Sequence, residues 1–197
     1  MSSIIVPNHI QALIFDLDGT LADTLPVHLA AWKVAGEKNG VPITEEMIMA
    51  RTGMPTVRVA AALNEAYGWN LEPAKVKADK DIAYAGFKPT IGVKAIEPVF
   101  QVAQAYRGKL PMAVGTGSSR GSAEDTLNTL GIRDWFGAIV TANDVENHKP
   151  HPDTFLRCAE LLGVAPEVCL VFEDGPYGIQ AGESAGMTVV DVRPFID

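Results

Sequence analysis

After residue 98 the chain alternates short β-rich apolar runs with segments of helical periodicity, and this order constrains the fold more than any other feature. The predicted strands are 111–115, 138–140, 169–172 and 188–190, and the predicted helices are 122–130, 153–162 and 178–185. Gly131, Gly163 and Gly186 follow these helices, at positions where glycine commonly ends a helix. Strands separated by helices indicate right-handed crossovers and a parallel sheet.

An earlier predicted strand, Ala12–Phe15, stands apart from this alternation. After it the apolar residues recur at helical spacing, for example at Leu29, Trp32 and Ala35, and no further strand is predicted before residue 93. The first strand has to join the later sheet, so the helical block is an insertion that follows it. We therefore expect an α/β fold in which residues 1–22 and 93–197 form a core domain and residues 23–92 form a helical cap domain.

Composition limits the partners of such a chain. Its 197 residues are 47% hydrophobic, which suffices for one good core and a small accessory domain. A net charge of −8 with no run of lysine or arginine disfavours nucleic acid and anionic membranes. Cys158 and Cys169 lie in apolar settings typical of reduced core residues.

The beginning of the chain bears on its location. Met1-Ser2-Ser3-Ile4 lacks the basic region of a secretory signal, and no apolar run approaches the ~18 residues of a membrane span. We expect a cytoplasmic protein that acts as a monomer or weak dimer on a small metabolite.

Two carboxylates, Asp16 and Asp18, follow the first strand and lead into Gly19. Side chains two positions apart on a strand face the same way, so both carboxylates start on one side of a cleft. At ~4 Å and an effective dielectric of ~20 their repulsion is about 4 kcal/mol, which a cation has to offset. An EF-hand is excluded because the twelfth position from Asp16 is Val27, where glutamate is required. Taken alone, the motif also fits a polar turn.

The later predicted strands bring further polar groups to the same edge, because ligands bind beyond the carboxyl ends of parallel strands. Thr116–Ser118 precede a helix N-terminus that favours phosphate, Lys149 lies in a stiff proline-containing loop, and Glu173–Asp174 form a second acidic pair. Each alone fits an ordinary loop. Together these oxygen ligands, cation and amides suit Mg²⁺ and a phosphoryl group.

The set of motifs resembles that of the haloacid dehalogenase (HAD) superfamily, in the β-phosphoglucomutase-like branch. Asp16-Leu17-Asp18-Gly19-Thr20, Thr116, Lys149 and Glu173-Asp174 stand in the order of the family's four motifs. The resemblance implies a Rossmann-like core with a helical cap. It also implies that Asp16 is the nucleophile that forms an aspartyl-phosphate and that Asp18 is the general acid and base. Dehalogenating relatives lack the second aspartate, so Asp18 implies phosphate chemistry.

The resemblance further implies which residues bind ligands. Phosphoryl oxygens would be bound by Thr116 and the amide of Gly117, with Ser118 beside them, and Lys149 would neutralise the nucleophile and the phosphate. The implied magnesium ligands are Asp16, the Asp18 carbonyl and Asp174, with Glu173 in direct or indirect support.

Within the branch, the segments 111–118, 148–150 and 171–174 resemble bacterial phosphatases of the fructose 1-phosphate or 6-phosphogluconate type. His28 resembles a hinge-side histidine that positions the acid aspartate, and Lys80 resembles a cap lysine that faces the site. A partly buried helix histidine and a solvated lysine are the alternatives. Where the mutase carries an arginine for the distal phosphate, this chain has Thr56, and Arg58 lies two residues further on. We therefore predict a phosphatase, with a phosphomutase as the alternative.

A serine hydrolase is a more remote alternative. Gly117–Gly121 fits G-x-S-x-G after a strand, and Asp144 and then His148 or His151 follow in the chain order of an α/β-hydrolase. That fold places several strands before its nucleophile, whereas one predicted strand and a helical block precede Gly117. Metal chelation separates the two classes, since a serine esterase needs no metal.

Overall fold

The computed structural model describes residues 4–196, so residues 1–3, which carry part of the prediction about a secretory signal, lie outside the described residues. The strands are β1 Ala12–Phe15, β2 Ala22–Asp23, β3 Lys94–Ala95, β4 Met112–Gly115, β5 Ala138–Val140, β6 Cys169–Glu173 and β7 Thr188–Asp191. The helices are α1 Leu25–Lys38, α2 Glu45–Met49, α3 Thr56–Tyr67, α4 Pro73–Ile91, α5 Glu97–Tyr106, α6 Arg120–Thr129, α7 Asp153–Leu162 and α8 Pro176–Ser184.

The main sheet has the strand order β5-β4-β1-β6-β7, and every neighbouring pair is parallel. β1 lies at its centre and all four of its residues are fully buried. Parallel strands need buried faces on both sides, because the crossover helices cover them. The predicted α/β fold with a parallel sheet is confirmed.

The central strand divides the core into two layers by its side-chain alternation. Leu13 and Phe15 pack in a cluster with residues of α5 and α6, whereas Ala12 and Ile14 pack in a second cluster with residues of α7 and α8. Successive side chains of a strand point to opposite faces, so four residues supply both layers. This arrangement carries the end of β1, and the acids that follow it, to the middle of one sheet edge.

Helices α1 to α4 form a separate cluster of apolar side chains, in which Trp32, Val59, Leu63 and Val76 are buried. No strand lies between residues 25 and 91, as the helical spacing predicts. The antiparallel pair β2–β3, Ala22 with Ala95 and Asp23 with Lys94, joins the two ends of this helical block. Strands of two residues carry no periodicity, so the sequence did not indicate them. The domain boundaries stay a prediction, and they fall at this ladder.

Helices α6 and α8 both begin two residues earlier than predicted, because residues at their N-termini set the start of each helix. α6 begins at Arg120 because the Ser119 hydroxyl accepts a hydrogen bond from the Ser122 amide, and α8 begins at Pro176, a residue suited to the first helical position. Cys158 and Cys169 are buried free thiols, as predicted. Within residues 4–196, none of the helices has the length and apolar character needed to cross a membrane.

Candidate active site

The ends of four parallel strands bring the predicted polar residues together. Lys149 lies in the loop after β5, and its Nζ donates hydrogen bonds of 2.7 Å to Asp16, which follows β1, and of 2.7 Å to Glu173, which ends β6. All three side chains are almost completely buried. Burial alone lowers the pKa of Lys149, but the two carboxylates outweigh it and raise this pKa well above its usual value. The lysine is therefore a permanent buried cation.

Three carboxylates form an oxygen cluster beside this lysine. Asp16, Glu173 and Asp174 each offer an oxygen, and these oxygens lie within 4.8 Å of one another. Burial, with the charge of Glu173, raises the pKa of Asp174 to about 7, and burial also raises the pKa of Asp16. One lysine does not offset three buried acids. An all-oxygen donor set with excess negative charge fits Mg²⁺.

Backbone and hydroxyl groups orient these acids. Thr20 donates a hydrogen bond of 2.8 Å to Asp174, and the amide of Gly175 donates one of 2.6 Å to Glu173. Gly178, in the first turn of α8, leaves space for Glu173, since a Cβ at this position would lie 1.7 Å from its Oε1. The glutamate is thus held at the site by fixed neighbours on several sides.

Asp18 has different partners from Asp16. Its carboxylate accepts hydrogen bonds of 2.7 Å from Thr24 and 2.6 Å from Ser118, and His28 Nε2 lies 3.2 Å away. Thr116 Oγ1 is more distant, at 3.4 Å. Burial raises the pKa of Asp18, but the hydrogen bonds from His28, Ser118 and Thr24 hold it well below the usual range. Asp18 is ionised in this arrangement.

The loop between β4 and α6 forms a further part of the cavity wall, beside Asp18. The amide of Ser118 donates a hydrogen bond of 3.0 Å to Thr116 Oγ1, which fixes this hydroxyl at the loop. Gly117 touches the cap: a Cβ there would lie 2.7 Å from the carbonyl oxygen of Gly53. Any larger residue at 117 would push the cap away. Glycine here allows the close approach of core and cap.

The three cap residues predicted to face the site also lie together. Lys80 Nζ lies 3.0 Å from His28 Nδ1 and 3.3 Å from Thr56 Oγ1. An ammonium has no lone pair, so Lys80 donates to Nδ1, and the ring proton then lies on Nε2 beside Asp18. Burial lowers the pKa of Lys80 to about 8, against the opposing effect of the Asp18 charge. The alternative of a solvated surface lysine does not hold, since Lys80 is only 6% exposed.

Core and cap enclose a cavity of about 270 Å³. Its lining includes Asp16, Asp18, Thr116, Gly117, Ser118 and His148 from the core and His28, Thr56, Lys80 and Tyr84 from the cap. The cap loop also touches the core beside the acidic cluster, because a Cβ at Gly175 would lie 2.9 Å from the Thr52 carbonyl oxygen. The cap is therefore closed on the core in this structure.

Several residues of the site were not singled out in the sequence. Thr24 bonds to Asp18 from the start of α1, and Thr20 bonds to Asp174 from within the first motif. Tyr84 lies against His28, and Gly178 lies against Glu173. Threonine, tyrosine and glycine are common residues with many structural uses. The proximity of Thr20 to the acids of the first motif was the one available signal.

The structure bears on the two alternatives to a phosphatase, the phosphomutase and the serine hydrolase. Arg58 is exposed and is absent from the cavity lining, whereas Thr56 lines it, as the half-turn separation predicts. For a serine hydrolase, the hydroxyl of Ser119 would have to be free, but it caps α6. Asp144 accepts hydrogen bonds from Arg120 and Thr141 instead of supporting a histidine. The serine hydrolase alternative finds no support.

This fold and this set of strand-end residues define a haloacid dehalogenase-like hydrolase. The family model of that description matches residues 10–186, and the chain belongs to this family.

Fructose-1-phosphate phosphatase YqaB of Escherichia coli is 43% identical over 183 residues, which are 92% of this chain and 95% of that protein. The phosphorylated carbohydrates phosphatase of Thermotoga maritima is 30% identical over 183 residues, 90% of this chain and 82% of its own. A crystal structure of β-phosphoglucomutase from Clostridium difficile superposes with a TM-score of 0.78 at 28% identity, covering 91% of this chain and 83% of that one. The predicted family and the prediction of an enzyme of the phosphatase type are confirmed.

Proposed function

We propose that this protein is a magnesium-dependent phosphatase that hydrolyses small sugar phosphates through an aspartyl-phosphate intermediate. The observation that carries the proposal is the position of Asp16, which faces the cavity while Lys149 and the acidic cluster surround its carboxylate. A phosphoryl group transferred to a carboxylate needs positioning and charge stabilisation more than other machinery. This site offers both.

In the first step, an Asp16 oxygen attacks phosphorus and the bond from phosphorus to the substrate oxygen breaks. Thr116, Ser118 and the Gly117 amide hold the phosphoryl oxygens, and Lys149 offsets their charge. The leaving oxygen takes a proton from Asp18. Asp18 is ionised in the empty site, but an arriving phosphate raises its pKa through like-charge repulsion, so that it takes up a proton.

In the second step, Asp18 is again a carboxylate and removes a proton from water. The water oxygen attacks phosphorus, and the bond from Asp16 to phosphorus breaks, which regenerates the free carboxylate and releases inorganic phosphate. A closed cap excludes other water from the intermediate.

Mg²⁺ would be held by Asp16 and Asp174, with the Asp18 carbonyl and with Glu173 in direct or indirect support. When bound, it supplies positive charge that offsets the phosphoryl oxygens and the nucleophile. The residues fit the ion because buried carboxylates outnumber the one lysine among them.

The cavity supports a small substrate. A volume of about 270 Å³ is slightly below the range of about 300 to 1,000 Å³ that is typical of ligand pockets. Two relatives are phosphatases whose names specify fructose 1-phosphate and phosphorylated carbohydrates. We propose the fructose 1-phosphate or 6-phosphogluconate class for this chain.

A phosphomutase is the alternative, since a β-phosphoglucomutase shares the fold. A mutase must hold both ends of a bisphosphate, and its distal phosphate needs a cationic fork that arginine supplies best. Thr56 lines the cavity at the position that corresponds to the arginine of the mutase, and Arg58 is exposed. Arg51 lines the cavity too, but its guanidinium donates a hydrogen bond of 2.8 Å to the Met47 carbonyl oxygen. We therefore propose that water is the acceptor.

We also propose that the enzyme works in the cytoplasm, which two buried free thiols support. A monomer or weak dimer stays a prediction, as does the lack of nucleic-acid and membrane partners.

The test is a turnover assay on a panel of sugar phosphates, with Mg²⁺ and with chelator. We expect release of inorganic phosphate that stops on chelation and returns when Mg²⁺ is added. Equal rates with chelator would contradict the metal requirement. Conversion of β-glucose 1-phosphate to glucose 6-phosphate, faster than phosphate release in the presence of a trace of the bisphosphate, would establish the mutase instead.

A further inference from the structure

Tyr84, on α4 of the cap, packs against Lys80 and His28, the two cap residues that are linked by a hydrogen bond and of which His28 contacts Asp18. Its ring centroid lies 4.6 Å from that of His28, with the two planes inclined by 34°. Lys80 Nζ lies 5.9 Å from the same tyrosine ring and 5.5 Å from the ring of Trp32. The tyrosine therefore contacts each member of the pair formed by Lys80 and His28.

This pair needs support from its surroundings. Among the described residues Lys80 forms no ion pair with a carboxylate, although it is buried. Aromatic faces stabilise such a cation in part. The contact from His28 to Asp18, at 3.2 Å, is at the upper end of the range for a hydrogen bond, so it depends on the orientation of the imidazole. The Tyr84 ring packs against the imidazole and restricts its rotation.

The hydroxyl of Tyr84 does not explain its position. This hydroxyl and that of Thr126 on α6 are both buried and form no hydrogen bond of good geometry among the described residues, although Thr126 and Ser122 lie close enough to lower the pKa of Tyr84 against the effect of burial. An unpaired buried hydroxyl costs free energy. One turn further along α4, Lys88 pairs with Asp125 and donates a hydrogen bond of 3.4 Å to Thr129, so α4 is attached to α6 without the tyrosine hydroxyl. The contacts of Tyr84 with His28 and Lys80 are those of its ring.

We infer that Tyr84 is a positioning residue whose ring holds His28, and through it Asp18, in the geometry that protonates the leaving group. The inference rests on the proposed function, in which Asp18 is the general acid. It predicts a loss that depends on the leaving group. A sugar alkoxide needs the proton to depart, whereas p-nitrophenolate departs without one.

The test compares kcat/KM for fructose 1-phosphate and for p-nitrophenyl phosphate in Tyr84→Leu. Since kcat/KM reports steps up to release of the leaving group, it isolates protonation from the later attack by water. We expect a fall of about tenfold or more for the sugar phosphate and less than about threefold for the nitrophenyl ester. Equal losses on both substrates, or no loss on either, would overturn the inference.

Two further variants separate the ring from the hydroxyl and from general damage. Tyr84→Phe keeps the ring, and we expect both substrates to stay within about threefold of wild type. A loss in Tyr84→Phe as large as in Tyr84→Leu would overturn the assignment to the ring. If Tyr84→Leu does not fold, Tyr84→Met, which is flexible and apolar, takes its place in the same comparison.

A double-mutant cycle with His28→Ala tests the route of the effect. If Tyr84 acts through His28, the Tyr84→Leu substitution lowers kcat/KM little further in the His28→Ala background. Fully additive losses of kcat/KM would contradict that route. The proposed function fails separately: wild-type enzyme that hydrolyses neither ester refutes it, while active wild type with unaffected Tyr84→Leu refutes this inference alone.

Discussion

Two buried lysines, Lys149 beside Asp16 in the core and Lys80 in the cavity wall of the cap, lie in opposite electrostatic settings. Lys149 lies between two carboxylates at 2.7 Å, and its pKa is raised. Lys80 lies against a histidine, a threonine and two aromatic rings, and burial lowers its pKa to about 8. The core lysine therefore stays charged over the usual pH range, whereas the charge of the cap lysine depends on pH near 8.

The difference indicates a division of labour. The core places charge where a phosphoryl group reacts, and preorganised charge in a buried site needs no rearrangement during the reaction. The cap places a cation whose partners are neutral and whose charge costs free energy when the cavity is empty. Such a group gains most when an anionic substrate enters, so we expect Lys80 to contribute mainly to binding.

The largest expected effect is on Asp16→Asn, because an amide is a poor nucleophile. We expect phosphate release to fall by roughly four decades, each decade being about 1.4 kcal/mol of barrier.

Asp18→Asn should also reduce turnover strongly, but the variant should largely retain its Mg²⁺ affinity through the Asp18 carbonyl. Steady-state assays and metal titration check both variants. Asp16→Asn activity within tenfold of wild type would contradict the nucleophile assignment, and loss of Mg²⁺ affinity in Asp18→Asn as severe as in Asp174→Ala would contradict the role of the carbonyl.

Replacing the two lysines by methionine should change stability in opposite directions. Lys149→Met leaves Asp16 and Glu173 without their buried cation, and we expect a loss of about 3 to 5 kcal/mol in the free energy of unfolding. Lys80→Met removes a buried charge that has no carboxylate partner, so stability should stay equal or rise. Urea unfolding in metal-free buffer measures both. Equal destabilisation by the two variants would contradict the claim that the two lysines lie in opposite electrostatic settings.

Two glycines near helix starts offer a matched pair. Gly178→Ala directs a Cβ at Glu173, which is fixed by Lys149 and the Gly175 amide, so we expect a loss of about 1 to 3 kcal/mol and reduced activity. Gly121→Ala on α6 meets no atom within 4 Å and should stabilise by up to about 1 kcal/mol through helix propensity. Thermal unfolding distinguishes the two, and a neutral Gly178→Ala would show that Glu173 is not held rigidly.

The smallest expected effect is the pH dependence that Lys80 contributes. Its folded-state pKa of about 8 lies below the unfolded value, so between these values the unfolded state binds more protons and stability rises with pH. Relative to Lys80→Met, wild type should gain about 1 kcal/mol between pH 8 and pH 9. Urea unfolding of both proteins at the two pH values measures the difference. A constant difference would mean that Lys80 keeps its usual pKa.

The sequence predicted much of the core and less of the cap. Strand ends are recognisable because apolar runs stop at acids, a threonine or a lysine, and parallel strands have to bring those ends to one edge. Asp16, Thr116, Lys149 and Glu173 could therefore be placed near one another before any coordinates. The β2–β3 ladder and the positions of Thr24 and Tyr84 could not, because two-residue strands and single polar side chains leave no period in the sequence.

What the sequence alone determined is the parallel α/β core, the inserted helical block, and the set of acids and cation at the strand ends, since these follow from local periodicity and chain order. The tertiary structure decided which partner each acid of the first motif has. Asp16 and Asp18 are two residues apart, yet one meets Lys149 and the other meets His28. Lys149 comes from the loop after β5 and His28 from α1 of the cap, so the packing of the core sets the first partner and the position of the cap sets the second.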